Sequence, residues 1–436
     1  MKKLHFITLI ATLTIVTAFA QQEKGIYGDE NWLANWTEFQ SNQEDYGEPT
    51  QILTGNITED ITLRKSQVYL LLGSVIVTDS VTLTIEPGTV ILGDHKTKAS
   101  LTISKGGKIM AEGLSTDPII FTSNKSLKRP GDWGGIVVLG DAPINRHGSG
   151  SAASFYPSLA PSDYRYTSYG GENTDSSSGV MKYVRIEYAG KRISTDTYFN
   201  GLLLACIGSK TVMENIMISN TEEDAIEVWG GNTLLSNIVT YKVKGSDFIF
   251  NHGSQSILSN SLAVRSPYSS NGEESRCLQV LSFTDKREFD FTKPKTSIKV
   301  ENVTFLNNSD DLSSAIKMNL VHEAIYIGEN TELNMLKSII SGFNPAVIMD
   351  NNISINQENL EKMSFTEMMF NNCNGNLYVE NTSNNDDLED WYGSAAFYNL
   401  YTTGENSETF IAPTNYKRPD FRLRIDKIIA SNNVKK

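Results

Sequence analysis

Cysteine is nearly absent: three residues in 436, Cys206, Cys277 and Cys373. So few cannot staple a chain of this length, and no two are spaced as zinc ligands are. Cys206 lies in the apolar run GLLLACIG and reads as a small buried hydrophobe. Cys277 and Cys373 remain as candidates for one disulfide in an oxidising compartment. Histidine is scarce too: beyond residue 20 there are His95, His147, His252 and His322, none spaced with another as a metal pair. Positive charge is in deficit, with 38 Lys and Arg against 51 Asp and Glu, a net charge of -13. Nucleic acid and anionic lipid are bound mainly through Lys and Arg, so neither is an expected partner. No apolar run after residue 20 is long enough to span a bilayer, so no membrane insertion of the mature chain is expected. GxSxG, HExxH and a phosphate loop are all missing; Gly106-Gly107-Lys108 lacks the upstream glycine.

What is present begins with MKKLHFITLIATLTIVTAFAQQ. Lys2 and Lys3 precede a short apolar core, and Ala18-Phe19-Ala20 is a small-x-small cleavage pattern. This predicts a leader over 1–20, export to the periplasm or the exterior, and a mature charge of -15 once the two lysines are gone. No cysteine stands at the cleavage point, so the leader is not of the lipoprotein kind.

The mature chain repeats itself. Leu235-Ser236-Asn237 recurs as Leu258-Ser259-Asn260, an offset of 23, and Asn215-Ile216-Met217-Ile218 matches Asn237-Ile238-Val239-Thr240, an offset of 22. Short β-branched runs such as Val81-Thr82-Leu83-Thr84-Ile85 and Tyr183-Val184-Arg185-Ile186 alternate with period two, and Gly, Asn and Asp fall between them. Several short strands per period of about 22 predict an all-β fold, a single-stranded right-handed parallel β-helix, with coils stacked ~4.8 Å apart. The expected divisions are 21–50 as an N-terminal cap or flank, 51–380 as the coil, and 381–436 as a C-terminal cap or flank. A long loop leaves the coil at about 145–179. Trp32, Trp36, Phe39 and Tyr46 mark the first flank, and 386–402 reads as an amphipathic helix with an acidic first turn. Asn215, Asn237, Asn260 and Asn302 fall in one column, a structural ladder at tight bends that ends where Lys337 takes the slot.

One constellation carries candidate chemistry. Glu222, Glu223, Asp224 and Glu227 precede Trp229-Gly230-Gly231, and a 23-residue offset places Asp247 one coil above Asp224. Two stacked carboxylates need a cation, a shared proton or a basic partner. Stacking Phe248-Ile249-Phe250 under Leu278-Gln279-Val280 brings Arg276 beside Asp247 as an ion-pair partner; a Ca²⁺ ion between Asp224 and Asp247 is the alternative, and no other cofactor is implied. Asn220-Thr221-Glu222, Asp224, Asp247 and His252-Gly253 are also similar to the Asp and His-Gly steps of β-helix pectin hydrolases, which would make Asp224, Asp247 and His252 catalytic candidates. Against this, Ser246 stands where an acid is expected, and Arg265 is the nearest substitute for the missing Arg-x-Lys. Trp133 and Trp229, each in a Trp-Gly-Gly phrase, read either as turn-packing residues or, with Glu227 and Arg276, as a sugar-binding set.

NWLANWTEF, LTIEPGTVILGD, GGKIMAEGLSTDPIIFTSN, RPGDWGGIVVLGDAPIN, GVMKYVRIEYAG, EEDAIEVWGGN and the closing PDFR together carry a family likeness over about 30–425. The chain resembles a largely uncharacterised family of exported parallel β-helix proteins common in the Bacteroidetes. The resemblance implies fold and export and little about activity. Relatives tend to carry two or three aspartates where this chain has Gly245-Ser246-Asp247-Phe248-Ile249-Phe250, and many end in a sorting domain not found here. The expected function is a non-enzymatic β-helix of the envelope or exterior presenting a strand face to a polysaccharide or a cell-surface protein. The alternatives are a polysaccharide-cleaving enzyme and a substrate-capture accessory of an outer-membrane transporter.

Overall fold

The structure, a computed structural model, describes residues 24–424 apart from 149, 160, 273, 382–384 and 416. The expected leader, 1–20, lies outside the described residues. Twenty-nine strands pair into one sheet that winds into a parallel β-helix. Each coil contributes up to three strands, and each strand pairs with its counterpart one coil on. One column runs through Val239–Tyr241, Leu262–Arg265, Thr304–Asn307, Ile339–Ser341 and Met369–Asn371. A second runs through Gly135–Leu139, Leu202–Ala205, Ile226–Trp229, Phe248–Asn251, Leu278–Val280, Ile325–Ile327, Val347–Met349 and Leu377–Val379. A third runs through Leu234–Ser236, Gln255–Ser259, Thr296–Glu301, Thr331–Leu336 and Met363–Thr366.

Alternation along each strand decides which side chains fill the coil. Phe248, Phe250, Phe305, Phe365 and Phe370 point inward with many Ile, Leu and Val and are fully buried. Each such side chain is worth roughly 1.5–3 kcal/mol of burial, so the stack of coils is one continuous core.

The asparagine column marks a bend repeated in every coil. Tyr183, Asn215, Asn237, Asn260, Asn302, Lys337, Glu367 and Tyr398 all have φ between 43° and 56°. Asn tolerates this left-handed region better than most L-residues. The side-chain ladder is partial. Asn260 Nδ2 donates to Asn237 Oδ1 at 2.9 Å, while Asn260 Oδ1 accepts from the Tyr27 N–H and Asn302 Nδ2 donates to Gly25 O. The column therefore anchors the N-terminal segment as well as itself. The amides stop at Lys337, but the bend continues through Lys337, Glu367 and Tyr398, because stacking repeats the backbone path whatever side chain it carries.

One of the coil's three outward faces is covered along much of its length and a second over its first coils. On the first column, Ile26, Leu33, Trp36 and Phe39 pack on Met217, Tyr241 and Leu262, joined by Phe410 and Phe421. Both terminal segments thus lie along the side of the coil. On the second column, much of the expected 145–179 loop packs against the coil. It folds back as a strap, with Tyr156, Leu159 and Tyr169 packed on Val137, Leu203, Ala205 and Trp229. The reason is in the strands: their outward positions there are apolar and need cover. At the C-terminal end, helix Asp386–Gly393 inserts Leu388 and Tyr392 into the core, and the Tyr392 hydroxyl donates to Met363 O at 2.6 Å. The helix is shorter than the 386–402 segment suggested; the chain continues as a strand, Leu400–Thr402, added to the first column.

All three cysteines are free, which corrects the candidate pairing of Cys277 with Cys373. Cys277 stands three coils from Cys373, ~14 Å along the axis, and a disulfide needs Cα atoms within ~7 Å.

Candidate functional site

The acidic step 222–227 follows the bend at Asn220 and leads into Ile226–Trp229. Its register differs from the 23-residue offset. Ile226 pairs with Phe248, so the offset is 22 here; Leu234 pairs with Ile257, so the extra residue enters after His252. Asp224 therefore lies opposite Ser246 and accepts from its N–H at 2.7 Å. Asp247 lies opposite Ala225, buried inside the corner.

Phe248 does stack on Leu278, as the sequence suggested, but Arg276 is not the partner of Asp247. Arg265 is: its Nη1 lies 2.8 Å from Asp247 Oδ2 and also donates to Gly245 O at 2.9 Å. Burial pushes the Asp247 carboxyl up and Arg265 pulls it back. Arg276 turns instead to Glu323 and lies 4.5 Å over the Tyr326 ring. Among the described residues no three His, Cys, Asp or Glu side chains converge to hold a metal ion, so the Asp224–Asp247 calcium site has no third acidic ligand.

The other acids lie on the same corner beside the strap. Glu222 is paired with Lys244 at 2.8 Å. Among the described residues Glu223, Asp224 and Glu227 make no ion pair. Burial, then the neighbouring carboxylates, pushes Glu223 and Glu227 up to about 7; burial pushes Asp224 to about 6 against the Ser246 N–H bond. Asn200 Nδ2 donates to Glu227 Oε2 at 2.7 Å, and burial, then Glu227 and Asp224, push the phenol of Tyr156 from the strap up. Glu223, Asp224 and Glu227 are all partly exposed. All three hold a proton more readily than an ordinary carboxyl, a property of acid–base sites and of unpaired buried acids alike.

The remaining predicted residues sit elsewhere. Trp133 is fully buried, stacks on Phe121 and donates from Nε1 to Glu187 O at 2.8 Å. Trp229 is buried under the strap against Phe155 and Tyr169. His252, at φ 55°, packs edge-on to Trp229, and burial lowers its pKa to about 3. A neutral, covered imidazole cannot serve as a proton carrier at the surface.

Beyond the strap the second face is open, and this was not read from the sequence. Gln279, Tyr326, Ile348 and Tyr378 follow one another outward, one per coil and half-buried. The Tyr326 hydroxyl donates to Asp350 Oδ2 at 2.9 Å, and Gln279 Nε2 donates to Ser246 Oγ at 2.7 Å. The signal was available: in LQV, IYI and LYV the middle residue must point out if its neighbours point in.

Residues 55–410 match the model of the pectate-lyase-like β-helix domain. The chain belongs to that family. This pectate-lyase-like β-helix is also similar to the surface protein and adhesin PfbA of Streptococcus pneumoniae, at 10% identity over 76% of this chain and 91% of that one. The TM-score is 0.27, too low to carry an argument. No curated protein matches the chain. Among the described residues no helix of this β-helix protein is long and apolar enough to cross a membrane.

Proposed function

We propose that the chain is an exported, non-enzymatic β-helix protein of the Bacteroidetes type, placed in the envelope or outside it, that binds a polysaccharide or a surface partner along a strand face. The observation that carries this reading is the open row Gln279, Tyr326, Ile348 and Tyr378, with Arg276 beside it. Tyr326, with Arg276 over its ring, and Tyr378 stand two coils apart, with Gln279 and Ile348 on the coils next to Tyr326, a repeat that a linear polymer can follow. Affinity electrophoresis over a panel of polysaccharides tests it. Tyr326→Ala and Tyr378→Ala should each weaken retardation about tenfold, the ~1.4 kcal/mol typical of an aromatic contact. Val212→Ala, on the third face, should change nothing. If no polysaccharide is retarded, or the tyrosine variants behave as wild type, the reading fails.

A second reading has one specific observation in its favour. Asp224 and Glu227 hold carboxyls near 6 and 7, so one can be protonated while the other is ionised, as glycosidic cleavage requires of an acid and its partner. Reducing-end and unsaturated-product assays on the same panel separate the two. Turnover that Glu227→Gln abolishes would replace the binding reading with an enzymatic one.

A further inference from the structure

Among the described residues neither the terminal segments nor the strap cover the middle of the third face. Val212, Leu234 and Ile257 are 40%, 50% and 41% exposed there. Upstream of Leu234–Ser236 the third column continues through Val212–Ser219, Gly179–Glu187 and Lys108–Glu112. Its register puts the exposed residues in one row. Met110 pairs with Val180, and Val180 with Val212. Met213 pairs with Leu235, so Val212 stands beside Leu234, and Leu234 pairs with Ile257. Their neighbours Ile109, Ala111, Met213, Leu235 and Leu258 fill the core, so alternation turns this row outward. Five successive coils thus present an aliphatic side chain to water, a stripe ~19 Å long. Thr62 and Thr84 continue the row at one end, and Lys299, Asn334 and Ser364 at the other. An apolar stripe with polar ends marks an interaction site. A face of that length and about five residues wide offers ~700 Å², close to the ~800 Å² per partner of a standard interface.

The charges beside the stripe say what covers it. Lys108 and Glu112 are exposed on either side of Met110. Beside Val212, Lys210 in the preceding turn and Glu214 take the corresponding places. Lys182, between Glu112 and Glu214, is bound to Glu214 at 2.9 Å. One flank therefore carries lysine where the other carries glutamate, at the same coil levels. A two-fold axis parallel to the coil axis reverses the strands and keeps each coil level with its copy. It lays the stripe on the stripe and the lysine flank on the glutamate flank. A two-fold axis along the strands, centred on Val212, would instead set Glu214 against Glu214 and Lys210 against Lys210. Lys299, at the end of the stripe, brings its own counter-ion, Glu301, at 2.9 Å.

We propose that the third face is the interface of a two-fold dimer of this chain with parallel coil axes, Lys108 and Lys210 of each copy meeting Glu112 and Glu214 of the other. The interface lies on a different face from the open row of the second column and does not rest on sugar binding. Sedimentation equilibrium of the full chain tests it and should give a dimer. Leu234→Glu, which sets two acids together in the stripe, should weaken association about a hundredfold or more. Lys108→Glu sets acid against acid at the flank and should weaken it about tenfold. Lys108→Glu with Glu112→Lys restores the complement and should bring association back to within about threefold of wild type. All three variants change outward positions, and melting temperatures equal to that of wild type diluted to monomer show that they fold. A wild-type chain that stays monomeric overturns the proposal, as does a dimer that Leu234→Glu leaves intact. A charge swap that fails to restore what Lys108→Glu weakens overturns the parallel arrangement.

Discussion

Arg265 reaches Asp247 across 2.8 Å in a place where the two side chains are 6% and 0% exposed. The same guanidinium holds Gly245 O and Arg276 O, so one residue ties together two successive coils. Removing it should be costly. Arg265→Met leaves a buried carboxylate without its cation and should destabilise by about 3–5 kcal/mol in urea unfolding. Arg265→Met combined with Asp247→Leu should recover much of that loss, because no charge is then stranded. If the single change costs under about 1 kcal/mol, the pair does not hold the corner together.

Stability should peak at about pH 4, because three carboxyls raised above their ordinary range outweigh one lowered histidine. Glu223, Asp224 and Glu227 have folded pKa values raised above the ordinary range. Their contribution is complete below about pH 4 and is lost as pH rises through 6 to 7. His252 works in the opposite sense: lowered to about 3, it contributes stability above about pH 6.5 that declines as pH falls toward 3. Melting temperature measured from pH 2.5 to 9 should fall as pH rises above about 4. Glu227→Gln should flatten that limb by about 1–2 kcal/mol, and His252→Asn, which keeps the left-handed bend, should flatten the acid limb. Alkaline limbs of equal slope in wild type and Glu227→Gln would contradict the assignment.

The two central asparagines should respond unequally to side-chain size. Asn237→Gly keeps the bend and should cost little, whereas Asn237→Leu forces a branched side chain into the left-handed region, about 1–2 kcal/mol. Both leucine variants lose the bond between the two amides, and Asn260→Leu should cost about 1 kcal/mol more because it also loses the bond from the Tyr27 N–H. Equal melting of all three variants would show that the column does not bear on stability.

Trp229 should hold the strap down. Phe155 and Tyr169 stack on it at 4.6 and 5.6 Å between ring centroids. Trp229→Ala should cost about 3–5 kcal/mol and release the strap locally. Limited proteolysis should then cut within 150–170 while the coil stays intact; an uncut strap would mean that its other contacts suffice.

The repeat, the parallel coil and the asparagine bends were legible because each is local. A period near 22, alternating β-branched runs and an Asn at a forced left-handed turn act on their own neighbourhood, and stacking only multiplies them. The candidate site was less legible, and Asp247 shows why. One residue inserted after His252 changes the offset from 22 to 23, and reading the later value one strand too early sets Asp224 against the wrong partner. A slip of one residue reverses which side of a strand every side chain faces, so inside and outside are exchanged.

The sequence by itself determined which residues form strands, where the chain must bend, and that the interior would be an uninterrupted apolar stack. Only the tertiary structure decided that Arg265 rather than Arg276 neutralises Asp247, that 141–171 returns to bury Trp229 and His252, and that the terminal segments lie along the coil. The difference is one of distance along the chain. Strand and bend propensities act within a few residues, whereas these contacts join segments tens to hundreds of residues apart, and their formation depends on loop closure and outward apolar surface that no local pattern records.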